Sequence, residues 1–143
     1  MPDSADFFRL RSFHSLPPQQ VVESLINTYF TYSHNQPYSY FHEGTFRQRL
    51  ADGNLPKCLL LAILASALRF SDHEYFEGAT REATETYARE AWLSVLSDHM
   101  TADNSPQLYV AQTTNIRAIV DFTGMYRALE RKMGSDKYHA NCP

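Results

Sequence analysis

Residues 56–70 read PKCLLLAILASALRF, with apolar side chains on every side of a helical wheel and no charge from 58 to 68. A helix that is apolar all round is buried in a core or in a membrane. Eleven uncharged residues fall well short of the about 20 that a bilayer span requires. The pattern therefore predicts a buried central helix over 56–70, with Pro56 at its first position, where a missing N–H costs nothing. Ala62, Ala65, Ser66 and Ala67 are small enough to let neighbouring helices come close. Each large side chain buried on such a helix contributes roughly 1.5–3 kcal/mol. The rest of the chain has to supply amphipathic helices that cover it.

Four flanking segments have that character. Val22, Leu25, Ile26, Tyr29 and Phe30 recur at i, i+3, i+4, i+7 and i+8, which predicts a helix from about 17 to 34, ending before Pro37. Asn35-Gln36-Pro37 reads as a turn, within an aromatic run of Tyr38, Tyr40, Phe41 and Phe46 that includes His42. A short helix over 43–51 places Phe46 and Leu50 on one face and ends at Asp52-Gly53-Asn54, a turn-forming trio. After the central helix, Ser71-Asp72-His73-Glu74 suits a capped short turn from which Tyr75 and Phe76 pack back. The cleanest period runs from 80 to 100, with Thr84, Tyr87, Ala88, Ala91, Trp92, Val95 and Leu96 on one face.

Ser105 and Pro106 then open a last helix. Its predicted inner face is Leu108, Ala111, Gln112, Asn115, Ile116, Ile119 and Val120, and a neighbouring stripe of Ala111, Ala118, Phe122, Met125 and Leu129 continues past Gly124. A glycine inside a helix costs about 1 kcal/mol relative to alanine, so this helix either breaks at 124 or runs to about 133. No stretch alternates with period two. The expected fold is all-α, about five helices around the central one. The expected organisation is an N-terminal arm over 1–16, a helical domain over 17–133 and a disordered tail over 134–143.

Length and composition fit a single domain: 143 residues, 43% hydrophobic and 20% charged. The formal net charge of −3 supplies no overall basic field to hold nucleic acid. Two cysteines, Cys58 and Cys142, make neither a disulfide scaffold nor a metal framework. The acidic start, Met1-Pro2-Asp3-Ser4-Ala5-Asp6, lacks the apolar stretch of a signal peptide.

Candidate chemistry is sparse. The six histidines lack the spacing of a zinc site, so no metal or cofactor is expected. Five unclustered glycines and the absence of Gly-x-Ser-x-Gly leave no phosphate loop and no nucleophile elbow, so no enzymatic site is expected. Gln112 and Asn115 stand out because they interrupt an apolar stripe. A buried amide without partners costs about 1–3 kcal/mol, so these two either fix packing by an interhelix hydrogen bond or contact a small effector in a helix-lined cavity. The aromatic run is either a stacking platform for bases or core packing with a helix–loop lid. With only Arg47 and Arg49 beside it, the second reading is preferred. Tyr38, Tyr40, Phe41, His42 and Phe46 are then a candidate partner or lid surface.

Several blocks carry a resemblance. They are Gln36-Pro37-Tyr38-Ser39-Tyr40-Phe41-His42-Glu43-Gly44-Thr45-Phe46, Leu55-Pro56 with Leu59-Leu60-Leu61-Ala62-Ile63-Leu64-Ala65, Ala67-Leu68-Arg69-Phe70-Ser71, Tyr87-Ala88-Arg89-Glu90-Ala91-Trp92, and Val110-Ala111-Gln112-Thr113 with Ile119-Val120-Asp121-Phe122-Thr123. In order and spacing over 17–123 they resemble the opening part of the fungal transcription-factor domain, the middle homology region of zinc binuclear-cluster regulators. The resemblance implies an all-α regulatory domain in the nucleus (in the cytoplasm if free), in a family that controls metabolic, transport or secondary-metabolite genes. It further implies that the region restrains or tunes an activator, sometimes through a small molecule.

Two departures shape the expectation. The family's six-cysteine DNA-binding module is not among these residues, so no direct nucleic-acid contact is expected. After Thr123 the family continues with further helices, which Gly124-Met125-Tyr126-Arg127-Ala128-Leu129 follows only faintly, so the chain reads as a truncated, partial domain. Uncovered helices leave an apolar patch, and such patches mark partner sites. The expected partners are a second copy or a full-length zinc-cluster regulator, with a small-molecule effector and no membrane. The alternative reading is a small helical ligand-binding or scaffold protein unrelated to transcription.

Overall fold

The computed structural model describes residues 13, 15–34, 40–101 and 108–140. Among them lie five α-helices and no strand: α1 (Gln19–Thr28), α2 (Glu43–Ala51), α3 (Lys57–Leu68), α4 (Thr80–Thr101) and α5 (Leu108–Ala140). The all-α expectation holds. A π-helical turn, Tyr29–Ser33, extends α1, and a 3₁₀ turn, Glu74–Phe76, lies between α3 and α4.

α3 is the axis of the molecule. Every residue from 58 to 68 is buried, as its unbroken apolar wheel requires. Pro56 sits one place earlier than expected, at the N-cap, where its carbonyl accepts the Leu60 N–H at 3.1 Å. α4 packs most extensively on α3, followed by α5 and α1. Ala62, Ala65 and Ala67 of α3 and Ala83, Ala88 and Ala91 of α4 are all buried. Small side chains on both helices allow close approach, so dispersion contacts are dense.

The inner face of α4 is Ala83, Tyr87, Ala88, Ala91 and Val95. Trp92 and Leu96, expected on that face, are 36% and 40% exposed. At about 100° per residue they lie about 100° and 140° round from Ala91, beyond the arc that α3 can cover. α5 differs more. Its buried line is Thr113 and Ile116, flanked by half-buried Tyr109, Gln112 and Val120, whereas Leu108, Ala111 and Asn115 face outward. The predicted stripe was rotated relative to the face that α3 selects. The helix does not break at Gly124 and continues to Ala140, into the stretch expected to be a tail. Leu, Arg, Glu, Lys and Met between 127 and 133 are good helix formers that offset one glycine.

Most of residues 1–16 lie outside the described residues, but Phe13 is only 5% exposed. Its ring lies 6.0 Å from Phe76 and 6.2 Å from Tyr87, so this part of the arm joins the core. Between the 3₁₀ turn and α4 the chain reverses at Gly78, where φ is +75°, a left-handed conformation that side chains disfavour.

Candidate functional site

Of the residues expected to form a partner or lid surface, Tyr40, Phe41 and Phe46 turn inward and His42 does not. Phe46 is 3% exposed and Tyr40 and Phe41 are half-buried. Phe30 meets Phe46 edge-on at 5.4 Å, Phe41 lies 5.2 Å from Phe46, and Tyr29 lies 6.2 Å from Phe41. These spacings are those of favourable aromatic packing. The π-helical turn helps by holding Tyr29 and Phe30 against the loop. His42 is exposed and caps α2: its Nδ1 accepts the Thr45 N–H at 3.3 Å. Tyr38 lies outside the described residues. Burial pushes the hydroxyls of Tyr29 and Tyr87 well above the usual tyrosine range, with Tyr40 and Tyr75 respectively adding to the effect.

Gln112 and Asn115 part company. The Gln112 amide donates to the Tyr40 carbonyl at 3.1 Å, pinning the aromatic loop to α5. It fixes packing, but to a loop rather than to another helix. Asn115 is exposed and belongs to an outward stripe. The buried polar residue of α5 is instead Thr113, 1% exposed, whose hydroxyl donates to the Cys58 Sγ at 3.6 Å. Among the described residues no group of three or more His, Cys, Asp or Glu side chains converges as a metal site requires. No described helix is long and apolar enough to cross a membrane.

Sequence reasoning missed a groove of about 880 Å³ between the end of α3, the first half of α4 and the middle of α5. Ala65, Ala88 and Val120 provide apolar lining, while Arg69, Arg81, Arg89, Arg117 and Arg131 supply cationic groups. Three acids share it: Glu85, Asp121 and Glu130. Arg81 pairs with Glu85 at 3.0 Å, and Arg117 lies 3.6 Å from Asp121. Arg69 is anchored twice. Its Nη1 donates to the Thr123 hydroxyl at 2.8 Å, and its guanidinium lies 4.5 Å above the Phe70 ring. The Arg117 guanidinium lies 5.2 Å over the Trp92 ring, while its Nε–H, shielded from solvent, has no acceptor. These arginines are scattered over three helices, so no local motif announces them.

Comparison with known proteins places this architecture. The fungal specific transcription factor domain matches residues 26–130. The chain belongs to that family. An uncharacterized transcriptional regulatory protein of Schizosaccharomyces pombe is 41% identical over 56 residues, covering 39% of this chain and 7% of the relative. A second such protein from the same yeast is 36% identical over 78 residues, 53% of this chain and 8% of the relative. A Zn(2)-C6 fungal-type transcription factor of Fusarium oxysporum f. sp. lycopersici is 28% identical over 84 residues, 59% of this chain and 8% of its own length. The matched part of this fungal transcription factor domain is thus under a tenth of each relative. No solved structure matches the chain. The family places the chain among transcription regulators and suggests a nuclear location. The aromatic cluster lies within the matched span, as does the groove apart from Arg131.

Proposed function

We propose that this domain regulates transcription in the nucleus through protein contact, without reading DNA through these residues. The observation that carries the reading is an outward stripe on α5. Leu108 and Phe122 are 73% and 63% exposed, and Ala111, Asn115 and Ala118 between them are exposed as well. The spacing alternates three and four residues, the period of a coiled-coil seam, and a single Asn at an a-type position specifies register between like helices. The occupant that fits is a second copy of α5, or its equivalent in a full-length zinc-cluster regulator. The net charge of −3 supports contact with protein over the phosphate backbone of DNA.

A reporter assay tests this reading. The chain is fused to a heterologous DNA-binding module in yeast, beside the same fusion with Phe122→Glu. The expected result is that the chain changes reporter output and the variant does so at least several-fold less, at equal abundance. Output equal to that of the bare module contradicts the reading. The family match over residues 26–130 favours a role in transcription over a scaffold or ligand-binding protein outside it.

A further inference from the structure

We propose that the arginine groove between α3, α4 and α5 binds a small organic dianion, two negative charges carried on an apolar body. The inference rests on the groove and not on the outward stripe of α5, so the two readings stand or fall separately.

The charge balance of the groove is opposite to that of the chain. Five arginines face three acids, whereas the chain as a whole carries −3. The hydroxyls are already committed: Thr84 donates to the Thr80 carbonyl at 2.8 Å, Thr80 to the Phe76 carbonyl at 3.3 Å and Thr123 to the Ile119 carbonyl at 2.7 Å. The donors that remain are guanidinium N–H groups not engaged by Thr123, Glu85 or Asp121. A groove rich in donors and positive charge complements an acceptor-rich anion, and guanidinium forks bind carboxylate and phosphate in bidentate fashion.

Two of the arginines are held in place before any ligand arrives. Arg69 is fixed by Thr123 and Phe70, and Arg117 lies over Trp92. Holding a charged donor still in advance lowers the entropy cost of binding. The Arg117 Nε–H is shielded and without an acceptor, which leaves an unmet hydrogen-bonding cost at this edge of the groove. Arg89 is exposed on α4 and lines the same groove. Ala65, Ala88 and Val120 give the apolar part of a ligand somewhere to lie. The volume, about 880 Å³, falls within the range of small-molecule sites.

Titration calorimetry on the full 143-residue chain tests this with phenyl phosphate and phthalate as dianions, inorganic phosphate as the bare ion and benzyl alcohol as the neutral body. The expected result is saturable binding of both organic dianions, weaker binding of inorganic phosphate and none of benzyl alcohol. Arg117→Gln and Arg89→Gln should each weaken binding about tenfold or more, as loss of a charged hydrogen bond implies. Arg89→Gln, at an exposed position, keeps the test valid if Arg117→Gln fails to fold; circular dichroism checks both. Four results overturn the proposal: no saturation at millimolar ligand, affinity unchanged in a folded variant, inorganic phosphate binding as tightly as phenyl phosphate, or duplex DNA binding more tightly with the same arginine dependence. A change in molecular mass on Arg89→Gln would assign the groove to a second copy instead.

Discussion

Gln112 and Tyr87 show what single side chains do here. Gln112→Ala removes the tie between α5 and the Tyr40 carbonyl. The expected loss is about 1 kcal/mol, read as a lower urea midpoint with an unchanged slope. Tyr87 is fully buried and its hydroxyl has no partner, so Tyr87→Phe should leave the midpoint unchanged or raise it by about 1 kcal/mol equivalent. The same residue predicts a pH effect. Burial raises the Tyr87 pKa in the fold above its ordinary value of 10.0. Above pH 10 the unfolded chain loses a proton that the fold retains, so stability is full below pH 10 and falls above it. The advantage of Tyr87→Phe over the parent should therefore widen in urea melts as pH rises past 10. Residue identities of this kind were only partly legible. Gln112 stood out as an amide in an apolar stripe, but whether it met a helix, a loop or a ligand depends on where the 35–46 segment folds back. Asn115 gave the same signal and proved exposed, because one residue position on a helix turns a side chain through about 100°.

At the scale of elements, the central helix was legible in full because its wheel is apolar in every direction and admits only one environment. Leu64→Ala on α3 should cost about 2–5 kcal/mol, a large share of the roughly 5–15 kcal/mol that holds a domain together. The expected outcome is loss of cooperative thermal unfolding by circular dichroism. The groove was not legible. It is lined from α3, α4 and α5 by residues more than 60 positions apart, such as Arg69 and Arg131, and charged residues on separate helices carry no pattern until the helices pack. The face of α5 was legible only in part: Ile116 and Val120 lie on the expected face, but Tyr109 and Thr113 belong to neither expected stripe, because periodicity alone does not fix the rotation that α3 selects. The structure selects Tyr109, Thr113, Ile116 and Val120, and leaves Leu108, Ala111, Asn115, Ala118 and Phe122 outward.

At the scale of the whole molecule, that unselected stripe is the centre of the account. A stripe of Leu, Ala, Asn, Ala and Phe at heptad spacing, exposed along one side of a 33-residue helix, is out of keeping with a chain that works alone. Trp92, Leu93 and Leu96 on α4 are exposed too and add apolar surface to the molecule. Mutation of Asn115 to Leu would make the seam wholly apolar. It should tighten association while loosening register, so that higher oligomers join the dimer. The most direct test is size-exclusion chromatography with light scattering on the 143-residue chain, from micromolar to tens of micromolar, beside Phe122→Glu. The account predicts a dimer that dissociates on dilution, and a helical monomer for the variant. A parent chain that stays monomeric across that range, or a Phe122→Glu variant of the same mass as the parent, would contradict it.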